Sequence, residues 1–166
     1  MPWTRAKYDS ELMIALAGEI GKAIARERAE MKHGLDPTRY HEAAHAVTRW
    51  LVARETSFSV VRPDGSGTNS TPDSLTCPTM SDATSDQSRW PNDSRIVQAL
   101  LGWAAVDGYQ IDLDAMKART RDLLTEHWPA VQDYARHLVI LDGRISEAMT
   151  TSILEQHLGP LQENAQ

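Results

Sequence analysis

The sequence YHEAAHAV, residues Tyr40–Val47, contains an HExxH motif in a segment that favours a helix. On a helix of 3.6 residues per turn, His41 and His45 lie one turn apart on the same face, so both imidazoles can bind one metal ion. Glu42 is rotated by about 100° around the axis, which places its carboxylate beside the ion, where a base takes a proton from a metal-bound water. Zinc suits this set because it accepts nitrogen and oxygen ligands and tolerates an open fourth position.

Two helices are predicted in the first third of the chain. Apolar residues at intervals of four predict an amphipathic helix from about residue 9 to residue 32. These residues are Leu12, Leu16, Ile20 and Ile24. Asp36 and Pro37 provide an N-cap and a first-turn proline, so the HExxH helix is expected to begin there and to extend to about Ala53.

The remainder of the chain is predicted to contain one strand, a polar loop and further helices. Residues 56–62 favour a strand with Phe58 and Val60 on one face. Residues 65–90 are rich in Ser, Thr, Asp, Gly and Pro, which predicts a flexible loop that either covers a site or is disordered. Residues 91–158 are predicted to be helical, with a break at Pro129 and a last buried face formed by Met149, Ile153 and Leu154.

Composition limits the class of protein. The chain has 166 residues and a net charge of −6, which indicates a single domain and argues against nucleic acid as a partner. Cys77, the one cysteine, is expected to be a free surface thiol. No signal peptide is apparent, and the apolar runs are too short to span a bilayer. We therefore expect a cytoplasmic protein that does not contact membranes.

A third metal ligand must come from another element. Three histidines are expected at helix ends or on the surface, which makes them poor candidates. Asp93 and Asp112 each follow a loop at the start of a predicted helix, although an aspartate there commonly serves only as an N-cap. The residues considered are Asp93, Asp112, Asp114, His127, His137 and His157. The residue pattern alone leaves Asp93 and Asp112 open.

The motif and the strand after it, Ser57–Arg62, resemble the peptidase domain of FtsH-type zinc proteases. That family usually has HEAGHA, so Ala44 replaces a glycine. Its third zinc ligand is the aspartate of an Asn-Asp pair that starts a later helix, and Asn92-Asp93 matches this pair. The resemblance therefore implies Asp93 as the ligand, with Asp112 or Asp114 as the alternative. It extends over residues 40–154, apart from the polar loop.

The chain departs from the family in the order of its elements. The family has a helix beginning Ala-Gly-Arg-x-Ala-Glu-Glu between the strand and the Asn-Asp helix, where this chain has the polar loop. A similar pattern, Ile14–Ile20, precedes the HExxH helix instead. We hypothesise that the N-terminal helix takes the place of the missing one. The sequence has no GxxxxGK[ST] motif, so activity without ATP is expected.

The resemblance implies a mainly α (α+β), zincin-like domain over residues 1–166 with one or two short edge strands. Its parts would be an N-terminal helix within 1–35, the loop 65–90 and a helical part over 91–158. It implies a metallopeptidase that cleaves flexible or unfolded segments, with Zn²⁺ held by His41, His45 and Asp93 and with Glu42 as the base. An exposed edge strand would bind the peptide or protein substrate through Ser57, Phe58, Ser59, Val60 and Val61. The alternative is a non-catalytic binding or regulatory domain with the same fold, with or without zinc.

Overall fold

The computed structural model describes residues 2–28, 37–71 and 93–161. The described part is mainly helical, as predicted, with six α-helices and one small sheet. In chain order the elements are α1 (Arg5–Glu27), α2 (Pro37–Thr48) continued by a π-helical segment (Arg49–Ala53), β1 (Phe58–Val61), β2 (Gly67–Ser70), α3 (Asp93–Val106), α4 (Leu113–Glu126), α5 (Trp128–Ile140), β3 (Arg144–Ile145) and α6 (Glu147–Leu158). None of the helices in these ranges has both the length and the apolar content to cross a bilayer.

The HExxH helix α2 lies at the centre of the fold. Its side chains are buried on every side, which is the pattern of a helix surrounded by other elements. Helix α1 packs along one side of it, α5 along another, and β1 and β2 close a third. Tyr40 of α2 stacks on Trp128 of α5, with ring centroids 6.1 Å apart and ring planes nearly parallel. Burial on all sides therefore includes the polar residues of the motif as well as its alanines.

Helix α1 approaches α2 closely because small residues line the contact. A Cβ atom at Gly21 would lie 2.5 Å from the Cβ of Ala44, so only glycine fits this position without a shift of one helix. Ala17 and Ala25 of α1 are fully buried in the same cluster. The alanine that replaces the family's glycine, Ala44, thus packs directly against the N-terminal helix.

Helix α1 also joins the two hydrophobic clusters of the protein. Ile20 packs against both clusters, while Leu16 belongs to the second, which α1 forms with α3 and α4. The first cluster surrounds α2 and includes α5, α6 and the sheet. The N-terminal helix therefore packs onto the HExxH helix, a condition that our hypothesis about the missing family helix requires.

The sheet differs from the prediction in two respects. Its strand order is β2-β1-β3, and all pairs are antiparallel. Ser59 of β1 pairs with Asn69 on one side and with Ile145 on the other, so β1 is a central strand and the predicted exposed edge is wrong. Strand β2 lies in the segment predicted to be a polar loop. Residues 72–90 of that segment, including Cys77, lie outside the described residues.

A buried polar network explains why β1 turns Ser59 and Val61 inward, while Phe58 and Val60 are only half-buried. The hydroxyl groups of Ser59 and Tyr134 are 2.8 Å apart, and Tyr134 in turn contacts the Thr150 hydroxyl at 2.9 Å. The Asn69 amide donates to the Ser59 oxygen at 2.9 Å. A buried hydroxyl requires hydrogen-bond partners, and this inward face provides them.

The helix boundaries follow local signals with few exceptions. Asp112 caps α4 by accepting the Ala115 N–H at 3.2 Å, and Pro129 lies in the first turn of α5, where the predicted break occurs. Thr4 rather than a residue near position 9 caps α1, so this helix begins earlier than predicted. Met149 is 38% exposed and Thr150 is buried instead, which corrects the predicted buried face of α6.

Replacing Gly21 with alanine is expected to destabilise the fold by about 1–3 kcal/mol, because the new methyl group overlaps Ala44 in a contact between two buried helices. Gly102→Ala in α3 is the control, since a Cβ there meets no atom within 4 Å. That substitution is expected to be neutral or to stabilise by up to about 1 kcal/mol. Urea denaturation of the two variants measures the difference, and equal stability would contradict the close packing.

Candidate metal centre

The structure brings three potential ligand atoms together at the junction of α2 and α3. His41 Nε2 lies 2.9 Å from Asp93 Oδ2, and His45 Nε2 lies 3.2 Å from the same oxygen. The two Nε2 atoms are 3.0 Å apart. Asp93 reaches the histidines because it is the first residue of α3, where its carboxylate points back toward α2. Asn92, its partner in the predicted pair, lies outside the described residues.

These distances fit a small metal ion. Ligand atoms about 2.1 Å from one tetrahedral zinc ion lie about 3.4 Å from one another. The separations of 2.9–3.2 Å are slightly shorter, so small side-chain movements bring all three atoms to ligand spacing. Two imidazoles and one carboxylate are also a donor set that zinc accepts in catalytic sites.

The backbone of α1 leaves space beside these atoms. A Cβ atom at Gly18 would lie 2.4 Å from His41 Nε2 and 2.6 Å from His45 Nε2. No side chain other than hydrogen fits at this position while both imidazoles keep their places. Gly18 therefore leaves open the space that a metal ion bound to both nitrogen atoms would occupy.

A hydrogen bond from α1 fixes the orientation of His45. Its Nδ1 lies 2.7 Å from the carbonyl oxygen of Ile14. A carbonyl only accepts hydrogen bonds, so Nδ1 carries the proton, and the Nε2 of a neutral ring presents a lone pair to the cluster. Metal-binding histidines commonly use their second nitrogen in this way.

The cluster attracts positive charge. The lone pair of a neutral His45 would face the anionic Asp93, which is unfavourable unless a proton or a metal ion lies between them. Burial opposes the charged imidazolium, but the hydrogen bond and the charge of Asp93 outweigh it and raise the pKa of His45. Burial likewise opposes ionisation of Asp93, yet hydrogen bonds from both histidines lower its pKa below the ordinary value.

Glu42 lies beside the cluster without belonging to it. Its side chain is buried, with the residue 3% exposed, and its Oε2 has no hydrogen-bond partner in the part of the chain that the structure describes. Burial raises the pKa of Glu42, although the nearby histidines oppose this shift. A buried carboxylate with an unpaired oxygen is costly, so this arrangement is more typical of a catalytic base than of a structural residue.

An open cleft of about 200 Å³ gives access to Glu42 and His41. Its remaining walls come from α1, from the start of α2 and from the turn into β2. The lining residues are Glu19, Lys22, Thr38, His41, Glu42, Gly65 and Gly67. Gly67 of β2 lies close to Glu42, since a Cβ atom at this glycine would lie 2.6 Å from Glu42 Oε1.

The segment predicted to bind substrate is not part of this cleft. Ser57 and Ser59 are fully buried and accept hydrogen bonds from Asn69, and none of the residues 57–61 lines the cleft. The physical reason is the pairing of β1 on both sides, which leaves its main chain no free edge. The prediction of Ser57, Phe58, Ser59, Val60 and Val61 as peptide ligands through strand addition is therefore wrong for β1.

The other candidates for the third ligand have different partners. Asp112 caps α4, and Asp114 is exposed in its first turn. His137 contacts the main-chain oxygen of Asp133, and His157 its carboxylate, each at 2.8 Å. His127 joins α4 to α5. Among the described residues, the one group of ligand atoms close enough to hold a metal ion is His41, His45 and Asp93.

Sequence reasoning missed the residues of α1 at the site. Gly18 and the Ile14 carbonyl are one turn apart on the same helical face. The available signal was the resemblance of Ile14–Ile20 to a family helix, which suggested a position for α1 but gave none of its residues a function.

Gly18→Ala is expected to weaken metal binding at least about tenfold, because the added methyl group occupies the space beside both Nε2 atoms. Gly21→Ala is the matched control: it crowds the same helix pair but meets Ala44 instead of the histidines. Zinc titration against a chelating indicator measures both affinities. Similar affinities for the two variants would contradict the role of Gly18.

Glu42→Gln is expected to stabilise the metal-free protein at neutral pH by roughly 1 kcal/mol, since it removes a buried charge. The raised pKa means that folding favours the protonated carboxyl. The stability that this gives the wild type is present below the ordinary pKa and is lost as the pH rises through the raised pKa. The advantage of the variant should therefore grow as the pH rises above the ordinary pKa of a glutamic acid, in thermal melts after chelator treatment. A gain in stability that does not depend on pH would show that the buried charge of Glu42 is not its cause.

Comparisons with known proteins do not identify the chain. No protein-family model, no curated protein and no solved structure matches it. The resemblance to FtsH-type peptidases therefore stays a prediction from the motif and the Asn-Asp pair. Any conclusion about function rests on the geometry of His41, His45, Asp93 and Glu42.

Proposed function

We propose that the protein is a zinc-dependent metallopeptidase that hydrolyses peptide bonds in flexible or unfolded segments without ATP. The observation that carries the proposal is the position of Glu42. A buried carboxylate, with one oxygen unpaired among the described residues, lies beside a group of two imidazoles and one carboxylate, and Glu42 and His41 line the same cleft. A purely structural metal site has no use for such a neighbour.

Each residue has a separate part in this proposal. His41, His45 and Asp93 would hold the ion, which when bound would supply Lewis acidity to a water molecule and to the scissile carbonyl. Glu42 would accept a proton from the attacking water and would deliver it to the leaving amine. A raised pKa suits both steps, because a base whose pKa lies closer to the working pH is also a better acid when it returns the proton.

Strand β2 is the element best placed to hold the substrate. Its outer edge pairs with no other described strand, since the sheet order is β2-β1-β3. An extended peptide can add to such an edge through main-chain hydrogen bonds. Gly67 brings the beginning of this strand against Glu42, so a peptide on the edge would pass the proposed base. This requirement for an extended chain supports flexible or unfolded segments as substrates.

The first test measures metal content and proteolysis together. The wild type is expected to bind one zinc ion and to degrade a fluorescently labelled unfolded protein in a chelator-sensitive reaction. Glu42→Gln should keep the zinc and lose activity by about 10²–10⁴-fold, because only the general base is removed. Asp93→Asn should lose most of the zinc. Asp112→Asn is its control, since asparagine also caps helices well and this residue lies outside the cluster.

Two outcomes would contradict the proposal. A wild type that holds zinc but is as inactive as Glu42→Gln on a broad set of unfolded proteins would favour the zinc-stabilised binding domain. Equal zinc content in Asp93→Asn and Asp112→Asn would remove Asp93 from the metal centre.

A further inference from the structure

We propose that Glu19 is a positioning residue that holds His41 in the tautomer required for metal binding. The inference rests on the metal centre of the proposed function but does not depend on peptidase activity. Glu19 lies on α1 directly after Gly18, in the turn that faces the two histidines. It does not itself bind the ion, because it contacts the opposite side of the His41 ring.

The contact is between Glu19 Oε1 and His41 Nδ1, which are 3.5 Å apart. This distance is at the outer limit of a hydrogen bond, and the Glu19 side chain is 65% exposed, so a small rotation shortens it. The Nε2 atom of the same ring points to Asp93 and His45. The two nitrogen atoms of His41 thus have separate acceptors on opposite sides.

A competition between tautomers makes this contact important. A neutral His41 that carries its proton on Nε2 can donate to Asp93 at 2.9 Å, and that tautomer has no lone pair for a metal ion. An acceptor at Nδ1 favours the other tautomer, in which Nε2 is free to bind. The pairing of a ligand histidine with a carboxylate serves this purpose in other metal sites.

Lys22 keeps the carboxylate of Glu19 near the ring. Its Nζ lies 3.4 Å from Glu19 Oε1, the same oxygen that faces His41. Residues three apart on a helix are neighbours, so Glu19 and Lys22 lie on the same side of α1, and both line the cleft together with His41. Helix α1 thus supplies an acceptor to the Nδ1 atom of both histidines. The Ile14 carbonyl accepts from His45, and the Glu19 carboxylate faces His41.

Zinc affinity of Glu19 variants tests the inference. Glu19→Ala is expected to weaken zinc binding about tenfold. This is the lower end of the effect seen when the hydrogen-bond partner of a ligand histidine is removed, because the Glu19 side chain is exposed. Glu19→Gln keeps an oxygen acceptor without the charge and is expected to lose only about threefold. Glu11→Ala is the matched control: Glu11 pairs with Lys7 on the same helix at 2.8 Å and lines no part of the cleft.

A second measurement reports the tautomer itself. Nitrogen-15 NMR of the metal-free protein at mildly alkaline pH is expected to show a larger fraction of the His41 proton on Nδ1 in the wild type than in Glu19→Ala. Thermal stability of the metal-free variants should be unchanged, since an exposed carboxylate contributes little to folding. A loss of stability that accounts for the loss of affinity would indicate a structural role and overturn the inference.

The remaining outcomes separate this inference from the proposed function. Equal zinc affinity of Glu19→Ala and Glu11→Ala would overturn the role of Glu19 and leave the peptidase proposal intact. Zinc binding that depends on Glu19, in a protein without proteolytic activity, would overturn the proposed function and support this inference. A wild type that binds no zinc would overturn both.

Discussion

The close contact between α1 and α2 is the constraint on which the rest of the structure depends. Gly18 and Gly21 remove side chains from one face of α1, so its backbone reaches the HExxH helix directly. One consequence is packing, because α1 connects the two hydrophobic clusters. The other is chemical: the same approach brings the Ile14 carbonyl to His45 and leaves space beside both Nε2 atoms. A larger residue at Gly21 would strain this helix packing, whereas a larger residue at Gly18 would fill the space beside the ring nitrogens.

The central position of α2 buries Glu42, which changes the pKa of its carboxyl group and also makes the residue costly for the stability of the fold. A carboxylate on a surface helix would be solvated and would titrate normally, whereas burial raises the pKa of Glu42 and leaves one of its oxygens without a hydrogen-bond partner among the described residues. If the protein is the proposed peptidase, stability and activity are opposed at this residue, as is common where a site needs an unfavourable group. Asp93 avoids this penalty, because hydrogen bonds from two histidines compensate its burial. The two carboxylates of the site thus differ in pKa because their neighbours differ.

Local sequence patterns predicted the helices. The features that these patterns did not predict depend on packing between residues far apart in the chain. The HExxH helix, the cap at Asp112 and the break at Pro129 depend on residues within a few positions of one another. Strand β2 was missed because its sequence is polar, and it forms through pairing with β1 and through the hydrogen bonds of the half-buried Asn69. The three ligand candidates came from a motif and a resemblance. The contribution of α1 to the site depends on the distance between α1 and α2, and the periodicity of the sequence does not give that distance.

The order of elements along the chain does not constrain this kind of site. A histidine needs an acceptor at Nδ1 and a clear approach to Nε2, and a helix provides both whether it precedes or follows the motif. Helix α1 does so from the N-terminal side, with a glycine facing the ring nitrogens and an acceptor one turn away. The hypothesis of a rearranged order stays a prediction. What the structure adds is that Gly18 and Ile14 of α1 provide close approach and a main-chain acceptor at this site.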